Sequence, residues 1–122
     1  MPKILIADDE PDIRELVALI LELDDHEVLQ ARDGQEAVEK TRAEQPDLIL
    51  MDVRMPRLTG YEACELLKAD PATRDIPVVF LSAKGQVGEV KAGYQAGAAA
   101  YLVKPFDAEE LLTLVQRLLS SS

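Results

Sequence analysis

Four stretches share one design: Ile4-Leu5-Ile6-Ala7-Asp8-Asp9, Leu48-Ile49-Leu50-Met51-Asp52, Val78-Val79-Phe80-Leu81-Ser82 and Tyr101-Leu102-Val103-Lys104 each run apolar and stop on a polar residue. Short apolar runs bounded by turn-forming residues fit strands buried on both faces of a parallel sheet. As neighbours in one sheet, their last residues would project from the same carboxyl edge, where open α/β sheets bind ligands. That edge would carry the carboxylates of Asp8, Asp9 and Asp52, the Ser82 hydroxyl and the Lys104 ammonium.

Outward from these runs, strand-like and helix-like segments alternate five times, the pattern of a parallel sheet with helices on both faces. Ile13, Leu16, Val17, Ile20 and Leu21 recur at a helical period after Pro11, which suits a first turn, and Leu111, Leu114, Val115, Leu118 and Leu119 do so near the end. Asp33 with Glu36, Thr59 with Glu62 and Asp107 with Glu110 have the spacing of a capping box, Thr59 in its usual form and the aspartates as looser variants. A second strand is expected at Glu27–Ala31 and further helices over 35–43, 61–69 and 86–95. The last of these contains Gly88 and Gly93, each costing about 1 kcal/mol against alanine, so it should be the most easily shifted part of the fold. The expected architecture is a flavodoxin-like (βα)5 doubly wound, five-stranded parallel sheet of order 2-1-3-4-5. Residues 1–119 form one domain in this reading, and 120–122 a tail or the start of a linker.

With 48% hydrophobic and 30% charged residues in 122, the chain has the composition of a globular domain with a real core. No apolar run approaches the ~20 residues that cross a bilayer, and the N-terminus lacks a secretory pattern, so the expected location is cytoplasmic. Cys64 is the only cysteine; its place in a helical pattern marks a small buried side chain. Thirteen basic against 23 acidic residues give a formal charge of −10, which repels nucleic acid and anionic membranes.

Asp8 and Asp9 would lie beside Asp52 if the first and third strands are neighbours. Two carboxylates ~4 Å apart repel by roughly 4 kcal/mol at an effective dielectric near 20, so the cluster calls for a cation. A few oxygen ligands open to water suit Mg²⁺, which keeps several waters and takes a phosphate oxygen as partner. A phosphoryl donor held there would meet Asp52, the carboxylate nearest the sheet's centre, as a nucleophile able to form an acyl phosphate. Taken singly, each residue has a plainer role: a solvated acidic loop at a helix start, a turn aspartate, a strand-ending serine, a snorkelling lysine. Their coincidence at four strand ends favours the joint reading.

These residues bring the chain to a resemblance: it is similar to the receiver domain of a two-component response regulator, of the chemotaxis-regulator and stand-alone type. The motifs are Asp8-Asp9-Glu10, Met51-Asp52-Val53-Arg54-Met55-Pro56 followed by Gly60, Ser82-Ala83-Lys84 and Lys104-Pro105-Phe106, and the likeness runs from Lys3 to about Leu119. The resemblance implies that Asp52 is phosphorylated, that Asp9, Asp52 and the main-chain carbonyl of Arg54 bind Mg²⁺, and that Asp8 acts through water. It implies that Lys104 grips the phosphoryl group, that the Lys104-Pro105 bond is cis, and that Ser82 and Tyr101 are the switch residues; without the resemblance, Tyr101 reads equally well as a half-buried strand aromatic. Arg54 and Lys84 would flank the path of the attacking water. A sensor histidine kinase or phosphotransfer protein would be the donor and a downstream effector protein the target. The domain would dephosphorylate itself slowly rather than work as an enzyme.

Two other readings fit less well. Phosphohydrolases working through an aspartyl phosphate use Asp-x-Asp, and the second position here is Arg54, which cannot serve as acid or base near neutral pH. A flavin carrier needs a phosphate loop rich in glycine, serine or threonine, where this chain has Asp8-Asp9-Glu10-Pro11. Regulators with winged-helix outputs resemble one another in an aspartate pair before the strand-five tyrosine and an arginine in the last helix. This chain has Ala99, Ala100 and Leu114 instead, so the expectation is a monomer or weak dimer that relays the signal by a conformational change of the face formed by helix four, strand five and helix five, docking a partner protein there on its small alanines and an exposed Tyr101.

Overall fold

The computed structural model describes residues 2–83 and 97–120. Its strands are β1 (Lys3–Ala7), β2 (Glu27–Ala31), β3 (Leu48–Asp52), β4 (Val78–Ala83) and β5 (Ala100–Lys104), all parallel in the order β2-β1-β3-β4-β5. The helices are α1 (Pro11–Leu23), α2 (Gly34–Glu44), α3 (Gly60–Ala69) and α4 (Ala108–Ser120). The expected order 2-1-3-4-5 is thus present; the helix expected over 86–95, like Lys84, lies outside the described residues. Among the described residues no helix is long and apolar enough to cross a membrane.

Because successive side chains on a strand point to opposite faces, the unbroken apolar runs build two cores. Leu5, Ala7, Ile49, Met51, Val78 and Phe80 face Ala37, Val38, Ala63, Cys64 and Leu67 of α2 and α3. Ile4, Ile6, Leu48, Leu50, Val79 and Leu81 face Val17, Ala18 and Leu21 of α1 and Leu111 and Val115 of α4. Strand β3 is buried along its whole length, and its last residue, Asp52, therefore emerges from the middle of the molecule. Register aligns Ala7 with Met51, Asp52 with Leu81 and Ala83 with Lys104, which sets the polar ends side by side.

The helix starts follow the capping chemistry closely. Thr59 and Glu62 exchange both bonds of the box. Asp33 accepts from the Glu36 amide at 2.8 Å, but the Glu36 carboxylate reaches back to the Arg32 amide at 3.1 Å, one residue further than the box requires. Asp107 accepts from the Glu110 amide at 2.8 Å. Gly60 opens α3 directly over the end of β3: a Cβ there would stand 2.3 Å from the Asp52 carbonyl oxygen, a distance at which the backbone must move.

Helix α1 departs from expectation on one face. Val17, Ala18 and Leu21 are buried against the sheet, whereas Leu16 is 57% exposed. At about 100° per residue, Ala18 completes the stripe with Val17 and Leu21, while Leu16 joins Leu19 and Leu23 on the outer side. The apolar period is wider than the sheet can cover.

Candidate functional site

The polar strand ends converge as expected. Asp9, Glu10, Asp52, Val53, Arg54, Ser82 and Lys104 line a cleft of about 370 Å³ at the carboxyl edge. Asp8 and Asp9 continue β1, Asp52 ends β3, Ser82 lies in β4 and Lys104 ends β5. Asp8 is completely buried beneath the cleft, Asp52 and Ser82 nearly so, and Asp9 and Glu10 are exposed at its rim.

The Lys104 ammonium sits between two carboxylates, 3.2 Å from Asp8 Oδ2 and 3.5 Å from Asp52 Oδ1. Burial acts to lower its pKa, but the charges of Asp52 and Asp8 outweigh that and hold it above the ordinary lysine value. Asp52 is pushed up to about 6, first by burial and then by the charge of Asp8, against the pull of Lys104 and a backbone hydrogen bond from Arg54. One ammonium does not neutralise this acidity. Oxygens of Asp8, Asp9, Glu10 and Asp52 all lie within 4.8 Å of one another, an all-oxygen set open to water on one side, which fits a small hard divalent cation. The Lys104-Pro105 peptide is cis, as the resemblance implied.

The acidic turn is held by its own backbone. The Asp8 amide donates to the Ala31 carbonyl at 3.0 Å, the Glu10 amide to Asp8 Oδ1 at 2.9 Å, and the Arg14 guanidinium to the Asp8 carbonyl at 2.8 Å. Glu10 entered the sequence reading only as part of a motif, and Arg14 not at all. A signal for Arg14 was available: it precedes Val17, Ala18 and Leu21 by three, four and seven residues, so it occupies the sheet-facing stripe of α1, where a charge needs a reason.

Tyr101 does not line the cleft, and it is not the exposed residue expected. It is half-buried, its ring centroid 5.6 Å from that of Phe80, and its hydroxyl lies 2.6 Å from that of Tyr61. An aromatic on a strand one step from the core packs inward when a polar partner for its hydroxyl is available, and Tyr61 on α3 supplies one. Ala100 is likewise buried, and Ala99 exposed. Cys64 is fully buried and burial pushes its thiol up to about 11, so it has no thiolate chemistry near neutral pH. Beside the cleft, sharing Lys104 with it, runs an apolar groove between Ile13, Leu16 and Ile20 of α1 and Pro105-Phe106.

Known proteins resemble this chain in sequence and in fold. Residues 4–116 match the response regulator receiver domain family. The chain is 44% identical over 119 residues to the DNA-binding dual master transcriptional regulator RpaA of Synechocystis sp., covering 98% of this chain and 49% of that one. It is 39% identical over 120 residues to Protein PilH of Pseudomonas aeruginosa, covering 98% of this chain and 99% of PilH. The chain thus spans about half the length of RpaA and nearly all of PilH. Among solved structures, the receiver domain of a sensor histidine kinase from Pseudomonas aeruginosa PAO1, with a magnesium ion coordinated in its active-site cleft, superposes with a TM-score of 0.92 at 33% identity over 98% of both chains. With its fold, its converging acidic strand ends and a family match over nearly its whole length, the chain belongs to the response regulator receiver domains of two-component signalling.

Proposed function

We propose that this domain is a phosphorylation-activated switch in which Asp52 accepts a phosphoryl group from a histidine kinase, a phosphotransfer protein or a small phosphodonor. The observation that carries this is the position of Asp52: a nearly buried carboxylate at the floor of an open cleft, 3.5 Å from Lys104 and within reach of a cation-binding set. A carboxylate oxygen of Asp52 forms the new O–P bond as the donor's P–N bond, in phosphohistidine, or P–O bond, in acetyl phosphate, breaks.

Asp9, Asp52 and the Arg54 carbonyl would hold Mg²⁺, with Asp8 assisting from below. When bound, it supplies positive charge to the phosphoryl oxygens as negative charge develops there. Lys104, already charged and aimed at Asp52, supplies the second positive group. Ser82, buried beside Asp52, donates its hydroxyl to a phosphoryl oxygen. The added charge of about −1.5 to −2 biases Ser82 and Tyr101 and, through them, the face formed by β5, α4 and the segment before β5. An effector protein reads that face, and the missing charged anchors at Ala99, Ala100 and Leu114 favour a monomer or weak dimer. Arg54, exposed at the rim, covers the phosphate without offering a base to water, so dephosphorylation is slow.

The test is incubation with acetyl phosphate and Mg²⁺ followed by mass spectrometry. One phosphoryl adduct is expected in the wild type and none in Asp52→Asn; an adduct that persists in the variant would refute the assignment.

A further inference from the structure

Asp9 is exposed at the rim of the cleft, in a turn where like charges repel, yet a cation ligand must be aimed. Each peptide unit is planar, so the direction of Asp9 follows from the two planes that flank it. The plane after Asp9 is fixed by the Glu10 amide, which donates to Asp8 Oδ1 at 2.9 Å. The plane before it contains the Asp8 carbonyl, which accepts from Arg14 Nη1 at 2.8 Å. The same guanidinium donates through Nε to Gln30 Oε1 at 3.1 Å. Gln30 is in turn tied down: its backbone pairs with Ile6 in the sheet register and its carbonyl accepts from the Lys40 ammonium. Arg14 thus joins three things: the sheet-facing stripe of α1, the edge strand β2, and the peptide plane that leads into Asp9.

We infer that Arg14 is a positioning residue that aims Asp9 at the cation of the phosphoacceptor cleft. Its guanidinium bonds to the Asp8 carbonyl and to Gln30, so its side chain acts through the Asp8–Asp9 peptide. A guanidinium suits the task because its planar fork sets two hydrogen bonds at a fixed angle, which a lysine ammonium cannot do. The inference rests on the cation-assisted reading of the site and names a residue which that reading did not contain.

Charge and position make opposite demands here, and this makes the inference testable. If Arg14 mattered only as a positive charge near an acidic cluster, its removal would strengthen cation binding, because a repulsion would be lost. If it aims Asp9, its removal weakens binding. Groups that orient a metal's ligands cost about tenfold or more in metal affinity when lost.

The experiment measures Mg²⁺ affinity by following the amide NMR shifts of Asp9, Asp52 and Val53 in the wild type, Arg14→Gln, Arg14→Lys and Gln30→Leu, with circular dichroism confirming each fold. Arg14→Gln is expected to lose about tenfold in affinity. Arg14→Lys should fail to restore it, and Gln30→Leu should lose less. In an Asp9→Asn background, Arg14→Gln should have little further effect, because residues acting through one another are not additive. Affinity unchanged or improved in Arg14→Gln, full rescue by lysine, or an undiminished loss in the Asp9→Asn background would each overturn the inference. Absence of any Mg²⁺-dependent shift in the wild type would overturn it together with the reading on which it rests. If Arg14→Gln does not fold, the Gln30→Leu and Arg14→Lys affinities decide in the same way.

Discussion

The hydroxyls of Tyr61 and Tyr101 lie 2.6 Å apart, and both rings pack on Phe80, Tyr61 edge-on at 5.1 Å and Tyr101 tilted at 5.6 Å. The strand-five tyrosine is therefore held inward by a partner on α3. Tyr61→Phe keeps the ring and deletes the hydrogen bond, with an expected cost of about 1 kcal/mol in urea unfolding. The Tyr101 ring should also become more mobile by NMR relaxation. Unchanged stability together with unchanged Tyr101 dynamics would show that the pair holds nothing.

Asp52 ionises near pH 6 in the folded chain and near 3.8 as an ordinary aspartate. Between those values the folded state holds the extra proton, so Asp52's contribution makes the metal-free protein more stable as pH falls from above 6 towards 4. At neutral pH its charge is a cost. Asp52→Asn should therefore stabilise the metal-free protein at pH 7 by about 1–3 kcal/mol, with the advantage shrinking at pH 5. Denaturant titrations at the two pH values check it, and an advantage that grows towards pH 5 would contradict the sign.

Lys104 is the ammonium shared by Asp8 and Asp52. Lys104→Met leaves both carboxylates without it. Asp52 should then ionise above its present value, and the metal-free protein should lose about 2 kcal/mol, since removing one partner of a buried pair strands the other. Carboxyl carbon NMR shifts against pH report the first effect and unfolding the second. An Asp52 that ionised at lower pH would rule out the pairing.

Gly60→Ala would place a Cβ 2.3 Å from the Asp52 carbonyl oxygen. Overpacking against backbone costs about 1–3 kcal/mol or more, and here the displaced group belongs to Asp52, the proposed phosphoacceptor. A lowered melting temperature and slower labelling by acetyl phosphate are expected together. Normal labelling in a destabilised variant would separate the two.

Much of this architecture was legible in the chain. Leu48 to Asp52 and Glu27–Ala31 read as strands because their neighbours are turn-formers, and the capping residues Thr59, Asp33 and Asp107 marked helix starts to within a residue. What escaped was the placement of polar tips. A helical period says which positions share a face, but not that Arg14 will find the Asp8 carbonyl. Nor does it pair Tyr61 with Tyr101, forty residues apart, so Tyr101 read as exposed. Leu16 shares the helical period yet stays exposed, because periodicity counts apolar residues without measuring how wide a sheet lies beneath them.

The central, fully buried position of β3 has a consequence for the life history of the chain. The cleft takes its groups from β1, β3, β4 and β5, and Lys104 is contributed by the last strand to be synthesised. A chain still emerging from the ribosome has Asp52 long before it has the ammonium that completes the pocket. Under the proposed function, the cleft is therefore complete only once β5 has docked beside β4.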